Sequence, residues 1–249
     1  MQTKFEYWVW QSVIPKETCQ KIINRGLEQL DLLTKEGFNP LATTFGNNQK
    51  SDTRNISQQD LTAEQLKEKN ISENNVYIRD SNISWLSDKW IYEILYDYVA
   101  KANIKAGWNY EFDWSEPAQF TIYDKNQFYG WHSDGLNDNF HIKRRKIPGV
   151  YDEKHNDDSL YTPVNELVGK VRKLSITVML SDPKDYDGGK LKFDFGVHAS
   201  GDRYKEITDE NIKQGSIVVF PSYKYHCVTP VTRGTRYSLV VWYNGRPMK

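Results

Sequence analysis

Residues 119–135 read QFTIYDKNQFYGWHSDG. The first five alternate polar and apolar, Gln119, Phe120, Thr121, Ile122, Tyr123, which is the pattern of a half-buried strand. Asp124, Lys125 and Asn126 are turn formers, and a second short run then ends in His132-Ser133-Asp134. Along a strand, residues i and i+2 face the same way, so His132 and Asp134 can project together into an interior.

From Gly107 to the end the chain keeps this character. The runs EPAQFTIYD, KLSITVML, GKLKFDFG, GSIVVFPS, YHCVTPV and TRYSLVVWYN are short, β-branched or aromatic, and separated by Gly, Asp and Pro turns. Such spacing predicts a sandwich or barrel. One of these runs carries His226, and the next carries Arg236. Two imidazoles and one carboxylate on one face of a metal leave open positions, an arrangement that suits non-haem Fe(II). A guanidinium on a neighbouring strand can grip a carboxylate with two parallel hydrogen bonds. A single His-x-Asp arises by chance; the order His132, Asp134, His226, Arg236 inside β runs carries the reading.

Upstream, residues 4–14 read as a strand, and Pro15 opens a helix over KETCQKIINRGLEQL with apolar positions Cys19, Ile22, Ile23, Leu27 and Leu30. Residues 37–75 are polar and read as a long loop with a short helix at LTAEQLKEK. Residues 83–106 show helical spacing through Trp85, Trp90, Ile94, Leu95, Tyr98 and Val99, with Asp88 as N-cap. The whole, 1–249, is expected to be one domain, with 1–107 supporting a β core over 108–249.

Composition narrows the function. Lys+Arg and Asp+Glu number 33 each, so no global field draws the chain to nucleic acid or acidic lipid. The 8 Trp, 16 Tyr and 10 Phe suit β-rich cores and pocket walls. The 2 Cys make no disulfide framework. No apolar run approaches the roughly 18 residues of a membrane span, and the N-terminal stretch is unlike a signal peptide. The expectation is a cytoplasmic protein without membrane or nucleic-acid partners.

The stretches QFTIYDKNQFYGWHSDG, RKLSITVMLSDPKDYDGGKLKF and GSIVVFPSYKYHCVTPVTRGTRYSLVVWYNGRP together resemble the 2-oxoglutarate- and Fe(II)-dependent dioxygenases of the prolyl 4-hydroxylase type, over about half of the chain. The resemblance implies a double-stranded β-helix (a jelly roll, cupin-like), mainly β with flanking helices. It implies that His132, Asp134 and His226 ligate iron and that Arg236 binds the far carboxylate of 2-oxoglutarate, with Ser238 beside it and Tyr123 against the cosubstrate. Arg172, Trp242 and Tyr129 correspond to the substrate pocket. Where some relatives have a Tyr for 2-oxoglutarate, this chain has Met179, so Thr177 or Ser175 is expected to stand in.

The resulting expectation is an oxygenase that uses Fe(II), 2-oxoglutarate and O2, with ascorbate as reductant, to hydroxylate a proline in a protein or peptide, releasing succinate and CO2. Two alternatives stay open: a hydroxylase of the same fold acting on a free amino acid or small metabolite, and a non-catalytic β-helix that binds a ligand. Residues 135–171, with Lys143, Arg144, Arg145 and Lys146, are expected to form a lid over the site.

Overall fold

The computed structural model describes residues 5–37, 39–47, 75–135, 170–194, 204–207 and 212–247. In chain order the elements are β1 (Trp8–Trp10), α1 (Lys16–Lys35), β2 (Leu41–Asn47), β3 (Asn75–Leu86), α2 (Lys89–Lys105), β4 (Trp114–Ser115), β5 (Ala118–Tyr123), β6 (Phe128–His132), β7 (Val171–Met179), β8 (Tyr186–Gly188), β9 (Leu191–Asp194), β10 (Tyr204–Ile207), β11 (Ile217–Pro221), β12 (Tyr225–Val228), β13 (Val231–Gly234) and β14 (Arg236–Gly245). The expected lid, apart from its ends, and the expected helix at LTAEQLKEK lie outside the described residues.

The strands follow one antiparallel path, β1-β11-β7-β14-β5-β3-β6-β12-β9-β10, with β2 on β3 and β4 on β14. β3 is the corner. Its C-terminal half pairs with β5, Asn82 to Leu86 opposite Ile122 to Ala118, while Arg79 and Asp80 pair with Tyr129 and Phe128 of β6. The sheet therefore curls on itself. Met179, Val218 and Phe220 from one half meet Leu191, Phe193 and Val228 from the other, which closes the expected jelly roll.

Strand alternation divides its two faces. Ala118, Phe120 and Ile122 of β5, Leu174, Ile176 and Val178 of β7, and Leu239 and Val241 of β14 form one apolar cluster with Cys19, Ile22 and Ile23 of α1 and Leu95 and Val99 of α2. Their neighbours in sequence, Gln119, Thr121, Ser175, Thr177, Arg236 and Ser238, are buried and polar on the opposite face. The helices cover one side; the polar side is left for a site. Among the described residues, no helix is long and apolar enough to cross a membrane. Cys19 and Cys227 are free and buried.

Several expectations are corrected. Strand β2 falls inside the expected loop 37–75, and the expected strand over 4–14 narrows to Trp8–Trp10. Residues 83–86 complete strand β3, and the helix begins at Lys89. Ile83 and Trp85 satisfy helical spacing as well as alternation, and pairing with β5 decides between them. Asp88 sits at the N-cap position without a side-chain capping bond; its carboxylate instead accepts a hydrogen bond at 3.0 Å from Nε of Arg25 on α1. Strands β1 and β3 also place part of the sheet upstream of residue 108.

On α1, Leu27 is exposed and the contact falls to Gly26. A β-carbon at Gly26 would lie 2.4 Å from the Phe120 ring, which is itself stacked on Tyr237 at 5.8 Å. Alanine favours a helix interior by about 1 kcal/mol over glycine, but forcing a methyl into a filled contact costs about 1–3 kcal/mol. At 2.4 Å the overlap calls for the upper end of that cost, so Gly26→Ala is expected to lower stability by about 2 kcal/mol in urea unfolding; a variant as stable as the parent would show that α1 does not press on β5 this closely.

Candidate metal and anion site

β6 and β12 set His132 directly opposite His226. The register then shifts: Val228 pairs with Tyr129, so two steps on β12 match three on β6. Such a bulge re-aims side chains, and here it puts Tyr129 and His132 on the same side, their rings stacked at 3.5 Å and 11°. Asp134 lies just beyond β6, where its backbone N–H donates to the Ser222 carbonyl at 2.8 Å.

The ligand atoms of His132, Asp134 and His226 all lie within 4.8 Å of one another. His132 Nε2 is 3.6 Å from Asp134 Oδ1, and His226 Nε2 is 3.7 Å from Asp134 Oδ2. Each imidazole is oriented through its other nitrogen. Nδ1 of His132 lies 2.8 Å from the Gly130 carbonyl, and Nδ1 of His226 lies 2.9 Å from that of Lys224. A carbonyl only accepts, so each Nδ1 carries the proton and each Nε2 presents its lone pair to the shared space. Burial, then the neighbouring His132, pushes His226 down to about 4, against the pull of Asp134 and the Lys224 carbonyl; it is neutral at pH 7 and free to ligate.

Burial alone would raise the Asp134 carboxyl, but His226, the hydrogen bond and charge of His132, and Arg172 outweigh it and hold the group well below the usual carboxylate range. Ser175 Oγ donates to Asp134 Oδ2 at 2.6 Å. Ser175 is fully buried and also lies 3.0 Å from Ser222 Oγ. Two nitrogens and one ionised carboxylate, dry on the side of Phe193 and Phe220, form a donor set that fits a divalent transition metal with open positions.

Arg236, on β14, is 2% exposed. Its Nη1 donates to Ser238 at 3.2 Å, Nη2 rests 3.2 Å from the Met179 sulfur, and Nε has no partner. Its guanidinium lies 5.4 Å from the Tyr123 ring centre, and Thr177 lines the same face of β7 two residues from Met179. Among the described residues no carboxylate pairs with Arg236. Gly189 makes room for it: a β-carbon there would come 2.7 Å from the Arg236 Cδ. The Asp187-Gly188-Gly189 turn into β9 thus shapes the site as well as the chain path.

Arg172 is held differently. Nε and Nη2 donate to the two oxygens of Glu116 at 2.7 and 2.6 Å, Nη1 reaches the Asp134 carbonyl at 3.3 Å, and the plane lies 4.0 Å over Trp242. Asn244 donates to the same Glu116 at 3.0 Å. The indole N–H of Trp242 is buried without a partner. Sequence reasoning missed Glu116 and Ser222, and it assigned Ser175 to the cosubstrate rather than to Asp134. Ser175 was legible as an inward position of KLSITVML; nothing in spacing marked Glu116.

The profile of the 2OG-Fe(II) oxygenase superfamily matches residues 118–244. The PKHD-type hydroxylase YbiX of Escherichia coli O157:H7 (strain EC4115 / EHEC) is 35% identical over 126 residues, 49% of this chain and 40% of the relative. The match therefore spans less than half of that relative's length. A Pseudomonas putida prolyl-4-hydroxylase superposes with a TM-score of 0.53 at 16% identity, over 97% of this chain and 94% of that one. The viral collagen prolyl hydroxylase of Paramecium bursaria Chlorella virus-1, as its 2OG complex, gives 0.53 at 14% identity, over 97% of each chain. At these identities the likeness is one of fold.

Removing the Ser175 hydroxyl leaves Asp134 Oδ2 without its donor while keeping all three ligands. Loss of such a supporting contact typically costs about 10–100-fold in metal affinity. Ser175→Ala is expected to weaken Co(II) binding by that factor in a chelator competition; unchanged affinity would remove Ser175 from the support of the site.

Proposed function

The chain belongs to the 2OG-Fe(II) oxygenase superfamily, and we propose that it hydroxylates a prolyl residue of a protein or peptide, releasing succinate and CO2. What carries this reading is one buried constellation: the converging His132, Asp134 and His226, with Arg236 beside them and, among the described residues, no carboxylate paired with it.

In this reading His132, Asp134 and His226 hold Fe(II). Bound with 2-oxoglutarate, the metal supplies the oxidation of a C–H bond by O2, one oxygen atom entering succinate and the other the substrate hydroxyl. Arg236 takes the far carboxylate of 2-oxoglutarate through its free Nε–H and its Nη groups, with Ser238 orienting the fork and Tyr123 and Thr177 bounding the space. Ser175 holds Asp134 turned toward the metal. Phe193 and Phe220 exclude water around His226. Glu116 locks Arg172 flat on Trp242, so the two form a rigid wall whose indole N–H is available to a substrate carbonyl, and Tyr129 bounds the pocket beside His132. Ascorbate, as the reductant that keeps iron in the ferrous state, belongs to the same proposal.

Acting on a free amino acid or small metabolite is the competing reading, favoured by a second buried guanidinium, that of Arg79, whose Nη2 has no partner among the described residues. Succinate release, measured with Fe(II), 2-oxoglutarate and a proline-containing peptide, then with free L-proline, tests both. Peptide-stimulated release with hydroxyproline in the peptide is the expected result; release stimulated only by the free amino acid would shift the substrate, and no release under any condition would defeat the oxygenase reading.

Removing the charge that faces a buried carboxylate costs about 3–5 kcal/mol. Arg236→Ala should therefore raise the 2-oxoglutarate KM by two to three orders of magnitude, and Arg236→Lys should keep part of the binding because it retains charge but not the fork. An unchanged KM in Arg236→Ala would move the cosubstrate elsewhere.

A further inference from the structure

Among the described residues, Arg79 is the one buried cation of the site that the proposed function leaves unused. It lies on β3 opposite Tyr129 and is 8% exposed. Nε donates to Ser81 at 3.0 Å, and the guanidinium sits 4.5 Å over the Tyr129 ring, which stacks on His132. Nη2 is buried and has no partner. The adjacent carboxylate, Asp80, accepts a hydrogen bond from Gln127, and among the described residues no acid pairs with Arg79.

A guanidinium does not shed its proton, so it stays charged wherever it is buried. The ring of Tyr129 offsets part of the lost hydration, but it leaves the outer N–H unsatisfied. The other two arginines of the site are accounted for: Arg172 is matched by Glu116, and Arg236 is assigned above to the cosubstrate. Arg236 and Arg79 also stand apart, on β14 and β3, the strands that flank β5 on either side, with Tyr123 of β5 between them. Arg236 is in register with Tyr123 of β5, whereas Arg79 lies past the β3–β5 pairing, opposite Tyr129 of β6. One anion on Arg236 thus leaves Arg79 open, on the His132 side of the pocket.

We propose that Arg79 is a second anion-binding residue and that the molecule to be hydroxylated carries a carboxylate, which docks on Arg79 beside Tyr129. A carboxylate fits the site: it matches one charge and one planar fork. The carboxylate can be the α-carboxylate of a free amino acid or an acidic side chain next to the target residue of a peptide. This inference rests on the oxygenase reading for the position of the reacting atom, but the charge match at Arg79 stands on its own.

The test is binding without oxygen, with Fe(II) and 2-oxoglutarate saturating, followed by calorimetry. Two pairs of probes differ only in charge: N-acetyl-L-proline against its amide, and N-acetyl-Pro-Asp-amide against N-acetyl-Pro-Asn-amide. At least one acid is expected to bind about tenfold or more tighter than its neutral partner, as a charge-assisted bidentate contact gives. That preference should fall to within about twofold in Arg79→Gln and to an intermediate value in Arg79→Lys, which keeps the charge and loses the fork. The lysine variant carries the test if Arg79→Gln does not fold. Preference in the first pair identifies a free amino acid; preference in the second identifies an acidic peptide. No preference in either pair, a preference that survives in Arg79→Gln, or an acid that displaces 2-oxoglutarate would each overturn the proposal. A wild-type protein that prefers the acids yet never releases succinate in air would defeat the oxygenase reading and leave Arg79 standing.

Discussion

Everything at the site depends on the pairing of β6 with β12. It sets His132 across from His226, although the two are far apart in sequence, and its bulge turns Tyr129 onto the His132 ring. The chain then leaves β6 and is caught at once by the bond from the Asp134 N–H to the Ser222 carbonyl. Three ligand groups thereby converge through backbone hydrogen bonds, before any side chain is asked to hold another. Backbone geometry of this kind is the stiffest support a site can have.

The second constraint is the division of the sheet into two faces. Each of β5, β7 and β14 gives its Leu, Ile, Val and Phe positions to α1 and α2 and its Ser, Thr, Gln and Arg positions to the interior. Burying so many polar groups is costly unless they find partners, and most do: Ser175 with Asp134, Arg172 with Glu116, Asn244 with Glu116. Three of the exceptions lie at the site. Nε of Arg236, Nη2 of Arg79 and Nε1 of Trp242 are buried donors without acceptors. Folded proteins tolerate such gaps where a ligand fills them.

The parts of this arrangement that are local in sequence were legible there. His132 and Asp134 are two apart on a strand end, and the alternation of QFTIY, SITVM and RYSLVVW announces strands with one polar face. His226 and Arg236 were legible by their order in successive β runs. Contacts set by register were not. Glu116 meets Arg172 because β4 and β7 both pair with β14, and Ser175 meets Asp134 because β7 pairs with β11, whose end catches Asp134 through Ser222. Arg79 escaped notice for a different reason: it follows a long polar stretch, and the apolar positions after it, Ile83 and Trp85, fit a helix as readily as a strand.

The central claim is that His132, Asp134 and His226 form one metal site, and iron stoichiometry tests it most directly. Anaerobic equilibrium dialysis of the wild-type chain against Fe(II) should retain one iron per chain. Asp134→Ala and His226→Ala, folded by circular dichroism, should retain less than a tenth of that at the same free Fe(II). Equal iron retention by the wild type and both variants would contradict the account.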